Sequence, residues 1–211
     1  MKVIGQFRDL DDPNRFVWLR GFDDMPARTQ ALEAFYGGAI WEEHRDSANA
    51  TMIDFDNVLL LRRARLTSGF SLENSQRPAP SDADELQEGL VVATIYYLHS
   101  PAGIEFLDFF ERALKPAITD AGAPILAYFV TESSKNTFPA LPVREGESVL
   151  VSFSGFSNQQ AYDLHAAALG RSQRWSEVSQ ALARLLEGDP EVLRLSPTPR
   201  SQLRGCLRSS L

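Results

Sequence analysis

Phe16-Val17-Trp18-Leu19-Arg20-Gly21-Phe22 lies over Leu150-Val151-Ser152-Phe153-Ser154-Gly155-Phe156 when the chain is slid along itself by 134 positions. At the same offset Trp41 falls on Trp175, Glu43 on Glu177, and Val58-Leu59-Leu60-Leu61 on Val192-Leu193-Arg194-Leu195. Ten of the 48 positions from 16 to 63 are identical without a gap. The matches fall at a strand end, a helix anchor and a closing strand, which is the pattern of one module used twice.

Working outward, Val3–Arg8 and Phe16–Arg20 are apolar runs joined by a turn-rich stretch from Asp9 to Asn14, and they read as an antiparallel hairpin. Asp23 or Asp24 caps a helix with Pro26 in its first turn. Gly37-Gly38 interrupts that helix, which resumes through Trp41 and His44. Asn57–Arg62 reads as the closing strand. In the second copy the break comes at Gly170.

The second copy opens with something the first lacks. Leu90–Leu98 is a strongly apolar strand, followed by a helix with Ile104, Phe106, Leu107, Phe110 and Leu114 on one stripe and a kink expected at Pro116. Strands at Ile125–Thr131, Val149–Phe153 and Glu191–Leu195, with a broken helix from Asn158 to Glu187, complete β-α-β-β-α-β, the ferredoxin-like order. The expected fold is α+β, a tandem ferredoxin-like pair closing a barrel. Residues 1–63 form an incomplete ββαβ half, 64–88 a linker, 89–198 a βαββαβ half and 199–211 a loose tail. The first half lacks its opening strand and helix, and the accompanying expectation is that Met1 is an internal methionine of the gene product.

Side chains alternate along strands. Val17/Val151, Leu19/Phe153, Leu59/Leu193, Leu61/Leu195 and Phe7/Phe129 are apolar in both copies and are read as the helix-covered face. Arg8, Trp18, Arg20 and Tyr128 would then line a central cavity suited to a small molecule.

The composition narrows the function. The 211 residues carry a net charge of −7 and are 44% hydrophobic, without the basic field that nucleic-acid binding needs. The single cysteine, Cys206, excludes an internal disulfide. No apolar run approaches the ~20 residues of a membrane span, and the start has no signal-peptide pattern, so a cytoplasmic location is the default expectation. A homodimer is the expected assembly.

Gln6-Phe7-Arg8-Asp9, Phe16–Phe22, Trp41-Glu42-Glu43-His44-Arg45-Asp46, Asn49–Met52, Asn57–Leu61 and the closing Val192–Thr198 together resemble a bacterial NIPSNAP-family protein over residues 1 to about 200. The resemblance implies tandem ferredoxin-like halves of the dimeric α+β barrel superfamily, which also holds antibiotic-biosynthesis monooxygenases and haem-degrading enzymes. It carries over no catalytic residue.

The residues themselves supply the candidates. Arg8 and Arg20, placed on one face of the hairpin, suit recognition of a carboxylate, enolate or phosphate. The plainer reading pairs them with Asp9, Asp54, Asp56 or Glu132. His44 and Tyr96 are the candidates for proton handling, while His99 reads as a turn residue and His165 as a packing or surface residue. No metal site and no cofactor is expected, because three scattered histidines give no ligand spacing. Three functions stay open: small-molecule binding, a cofactor-independent monooxygenase or isomerase acting on an aromatic or polyketide-like substrate, and a protein-interaction module.

Overall fold

The computed structural model describes residues 1–72, 75, 77–79 and 89–204. The opening hairpin forms as the sequence predicts, from β1 (Lys2–Asp9) and β2 (Phe16–Gly21). Phe7 stands opposite Val17 and Gln6 opposite Trp18. Its turn is held by side chain and backbone together: Asp12 accepts from the Asn14 amide at 3.0 Å and from the Arg15 amide, through its carbonyl, at 3.0 Å. Helix α1 (Met25–Tyr36) starts at Asp24, whose carboxylate accepts from the Ala27 amide at 2.7 Å with Pro26 in the first turn. Helix α2 (Ala39–Asn49) follows after Gly37-Gly38, and the closing strand β3 is short, Leu61–Arg63.

The second part supplies β4 (Leu90–Tyr97), α3 (Ile104–Phe109), α4 (Lys115–Asp120), β5 (Ile125–Thr131), β6 (Val149–Phe156), α5 (Gln159–Arg171), α6 (Gln173–Ala183) and β7 (Glu191–Pro197). All seven strands belong to one antiparallel sheet in the order β2-β1-β7-β4-β6-β5-β3. Within it, β7-β4-β6-β5 has the ferredoxin-like order, with the first strand of the unit between its third and fourth. The hairpin is added at one end, Phe7 opposite Pro197 and Asp9 opposite Leu195. Strand β3 is added at the other, Leu61 opposite Thr131. The fold is α+β, and the first third of the chain builds no sheet of its own.

The two faces of this sheet are the reverse of the sequence expectation. Phe7, Val151, Phe153, Leu193 and Leu195 form one buried cluster with Val91, Ala93 and Ile95. Val17 and Leu19 from one outermost strand and Leu61 from the other pack on that same cluster, so the sheet is curled and these side chains fill its concave side. The helices cover the opposite face, where Tyr96, Tyr128, Leu150 and Phe156 meet Leu107, Phe110, Leu114 and Leu182. The physical reason lies in curvature. Curling brings both outermost strands round to one side, so their shared apolar positions meet there, with polar groups such as Tyr97, which donates to Glu191 at 2.8 Å, among them. Helices lie farther off, and that side accepts small hydroxyls and voids.

Three smaller expectations are also corrected. The helix before Pro116 does not simply kink: a π-helical turn, Phe110–Leu114, joins α3 to α4. Proline has no amide hydrogen to donate to the fourth residue back, and the bonding register slips by one. The first part of the stretch read as a linker is packed, with Phe70 in the concave core 5.3 Å from Phe129 and 5.1 Å from Phe153 (ring centroids). The start of the tail is ordered too, since Ser201 and Leu203 are buried and the Leu203 amide donates to the Ile4 carbonyl at 2.8 Å. The rest of the linker reading, and the tail with Cys206, lie outside the described residues. Among the described residues no helix is long and apolar enough to cross a membrane.

Candidate functional site

The helix-covered face of β4 and β6 alternates by strand pleat into Val92, Thr94 and Tyr96 on one strand and Ser152, Ser154 and Phe156 on the next. Thr94 stands opposite Ser152, and Ser152 opposite Tyr128 on β5, so a polar row crosses three strands. Two serines in the middle of an apolar sheet occupy little volume. Above them the helices leave a cavity of about 710 Å³ walled by β4 and β6 below and α5 and α6 above.

The roof is placed by two caps. Asn158 accepts from the Ala161 amide at 2.9 Å and starts α5. The break between α5 and α6 falls at Ser172, two residues past the expected Gly170, and its hydroxyl accepts from the Trp175 amide at 3.1 Å. Helix α5 thereby turns Tyr162 and His165 toward the sheet, and α6 brings Trp175 and Leu182 to the cavity.

His165 is buried, its ring against Phe156 at 5.4 Å. Its Nδ1 lies 3.1 Å from the Ala121 carbonyl oxygen, an acceptor, so Nδ1 carries the proton and Nε2 keeps its lone pair. Among the described residues Nε2 has no hydrogen-bond partner. Burial holds the imidazole below its ordinary pKa, partly offset by the Ala121 contact. The cavity therefore contains a neutral base.

Tyr96 is its counterpart. Burial pushes the phenol up to about 12, against the opposing effect of hydrogen bonds with Ser152 and Thr94. At neutral pH the hydroxyl stays protonated and donates. A neutral acceptor and a neutral donor in one apolar chamber suit a molecule with an acidic hydroxyl or an enolisable carbonyl.

Tyr96, a proton-handling candidate of the sequence reading, and His165, which that reading assigned to packing or the surface, both line this cavity. The helical spacing of Tyr162, His165, Ala166 and Leu169 was the available signal, being a stripe that has to face the sheet. His44 is not part of this site: it is exposed on α2, a helix with no buried residue. His99 lines a separate 490 Å³ cleft with Tyr97, Glu147 and Glu187.

The four residues expected to line a central cavity are not gathered. Arg8 is exposed, opposite Phe16. Arg20 shares its face of the hairpin but stands at the far end, opposite Val3. Its guanidinium lies 4.6 Å over the Trp18 ring and donates to the Tyr36 hydroxyl at 3.4 Å, while Trp18 meets Phe35 at 6.3 Å. Tyr128, four strands away from β1 across the sheet, donates to Glu111 at 2.6 Å. Burial, then that bond, push its phenol up to about 12, and Glu111 in turn is held below its usual range by Tyr128 and Arg65. Arg8, Trp18 and Arg20 lie with the hairpin at one end of the sheet and Tyr128 near the other, so these four line no common cavity among those described. Among the described residues no three histidine, cysteine or acidic side chains gather as metal ligands.

No family model matches the chain, and no curated protein does either. Solved structures do. The chain is similar to a NIPSNAP family protein of Agrobacterium tumefaciens strain C58, at 22% identity over 55% of this chain and 99% of that one, with a TM-score of 0.44. It is similar to SnoaB, a cofactor-independent oxygenase of Streptomyces nogalater, at 12% identity over 50% and 90% of the two chains, TM-score 0.33. Over its whole length it is similar to a provisionally named monooxygenase of Fusobacterium nucleatum, at 9% identity, covering 83% of that chain with a TM-score of 0.50. NIPSNAP proteins and monooxygenase-like α+β barrel proteins thus both stand among its structural neighbours. At these identities the likeness speaks to the fold.

Proposed function

We propose that this chain is a NIPSNAP-type α+β barrel protein that binds a small, largely apolar molecule with an acidic hydroxyl or a carbonyl, in the chamber between β4, β6, α5 and α6. The observation that carries this reading is the chamber itself: about 710 Å³, lined mainly by apolar side chains, with Thr94, Ser152 and Tyr96 on the sheet side and His165 on α5. Such a volume fits a fused aromatic or polyketide-like molecule. Tyr96, Thr94 and Ser152 orient its oxygen, while Trp175 and Phe156 supply flat apolar contact.

The test is a binding titration with hydroxylated polycyclic aromatics, followed by Trp fluorescence, on the native chain and on Ser154→Phe. A phenyl ring at position 154 fills the chamber without touching the concave core. The expected result is saturable binding that the substitution weakens at least tenfold. Equal affinity in both proteins contradicts the proposal.

A second reading follows from one further feature, a neutral base on the cavity wall. Nε2 of His165 takes an acidic proton of the bound molecule and leaves an enolate or phenolate. Such a carbanion reacts with dioxygen without a cofactor, the oxygen being co-substrate. Under this reading His165→Gln keeps binding and loses oxygen consumption. Under binding alone, no oxygen is consumed by either protein.

A further inference from the structure

Among the described residues, Glu187 and Asp189 are the carboxylates on the chamber wall, and no lysine or arginine joins them there. Leu186 bridges Leu98, two residues past Tyr96 on β4, and the Glu187 amide donates to the Tyr97 carbonyl at 2.9 Å. That pairing holds both carboxylates at the Tyr96 end of the chamber. Glu187, Asp189 and Val192 are exposed, so this end is a mouth, and Glu187 also lines the neighbouring cleft with His99 and Glu147. Among the described residues neither Glu187 nor Asp189 forms an ion pair, and Arg194 on β7 is engaged by Asp11.

We propose, resting on the chamber as the binding site, that Glu187 and Asp189 set the charge of the molecule it takes: a basic amine at the end that meets the mouth, and no carboxylate. Two observations converge, one at each end of the chamber. At the mouth, a cation entering apolar surroundings finds two carboxylates as counter-ions. An anion meets two like charges there and gives up its water with no cation in return.

At the other end His165, 8% exposed, lies against Phe156, which stands opposite Leu90 at the far end of β4 from Tyr96. With Nδ1 on the Ala121 carbonyl, Nε2 is an acceptor without a partner and calls for a donor. A phenol, an enol or an ammonium has a hydrogen to give, and a carboxylate has none. The hydroxyls of Thr94, Ser152 and Tyr96 between the two ends orient an oxygen but bring no charge to balance an anion. Attraction of the amine and rejection of the acid therefore add in the difference of their affinities.

The test is calorimetric titration at low ionic strength with three hydroxynaphthalenes that differ in one arm: aminopropyl, hydroxypropyl or carboxyethyl. Each is titrated into the native chain and into the double variant Glu187→Gln, Asp189→Asn, whose two positions are exposed. In the native chain the amine should bind most tightly and the acid least, with a gap of roughly tenfold that added salt narrows. In the variant that gap should shrink below about threefold, while the alcohol binds both proteins alike and so reports that the variant is folded. Equal affinities for the three arms, or a preference for the acid, overturn the proposal and leave the binding reading standing. A gap that survives in the variant overturns it as well, because the order then comes from the net charge of −7 of the whole chain. If none of the three binds, the binding reading falls and the charge proposal falls with it.

Discussion

His165 shows how one ring can be set by its partners. The Ala121 carbonyl fixes the tautomer and burial keeps the ring neutral. Its folded-state pKa lies below the ordinary value of about 6.5, so the unfolded chain binds the proton first as pH falls. The stabilisation is complete above about pH 6.5 and is lost as pH drops through the folded-state value. Thermal midpoints measured from pH 8 to 5 should fall on the acid side, and His165→Gln should flatten that fall. A variant with the same slope as the parent would show that the ring titrates freely. Tyr96→Phe removes one hydroxyl from a buried trio and should cost about 1–2 kcal/mol, read by urea denaturation, because Ser152 and Thr94 lose a partner. Tyr96 was legible in the sequence as a polar group in an apolar strand. His165 was not, because alanines beside it on a helix do not say which way the helix is turned.

At the scale of elements, the hairpin depends on Gly5. The register of β1 against β2 shifts between Val3 and Gly5, and a Cβ at Gly5 would come within 2.2 Å of the Phe7 ring. Phe7 is fully buried in the concave core and cannot yield cheaply. Gly5→Val should therefore destabilise by roughly 1–3 kcal/mol, measured by denaturant midpoint, as overpacking does. An unchanged midpoint would mean that the hairpin does not rest on that core. Phe70 makes the complementary point: Phe70→Ala opens a hole between Phe129 and Phe153 and should cost roughly 2–3 kcal/mol. Most of the strands, a cap at Asp23 or Asp24 and a break in the last helix were readable from local chemistry, although the break falls at Ser172 rather than Gly170 and β3 is shorter than Asn57–Arg62. Phe70 was hidden because a lone aromatic in a polar stretch gives no period, and the π turn because Pro116 marks a disruption without saying which kind.

Across the whole molecule, the β-α-β-β-α-β reading of the second part anticipated the strand order around β4 but not which face looks inward. Both faces carry apolar residues at alternate positions, and the sequence contains no term for curvature. Once the sheet curls, the shared apolar positions Phe7, Val151, Phe153 and Leu195 come together in one buried cluster on its concave side. The space for a ligand moves to the outside, under α5 and α6. At the matched positions of the first half, Trp18 and Arg20 replace Ser152 and Ser154, and the packing of Trp18 on Phe35 and of Arg20 on Tyr36 takes up the room that the serines leave open. Exchange should accordingly be slowest in β4 and β6 and fastest in β2 and β3. The most direct measurement is a two-dimensional NMR titration with a hydroxylated polycyclic aromatic. Shifts concentrated at Tyr96, Ser152, Tyr162, His165 and Trp175 are expected. Shifts at Phe7, Val91, Val151 and Leu195, with His165 and Trp175 unmoved, would place the ligand inside the curl and contradict the account.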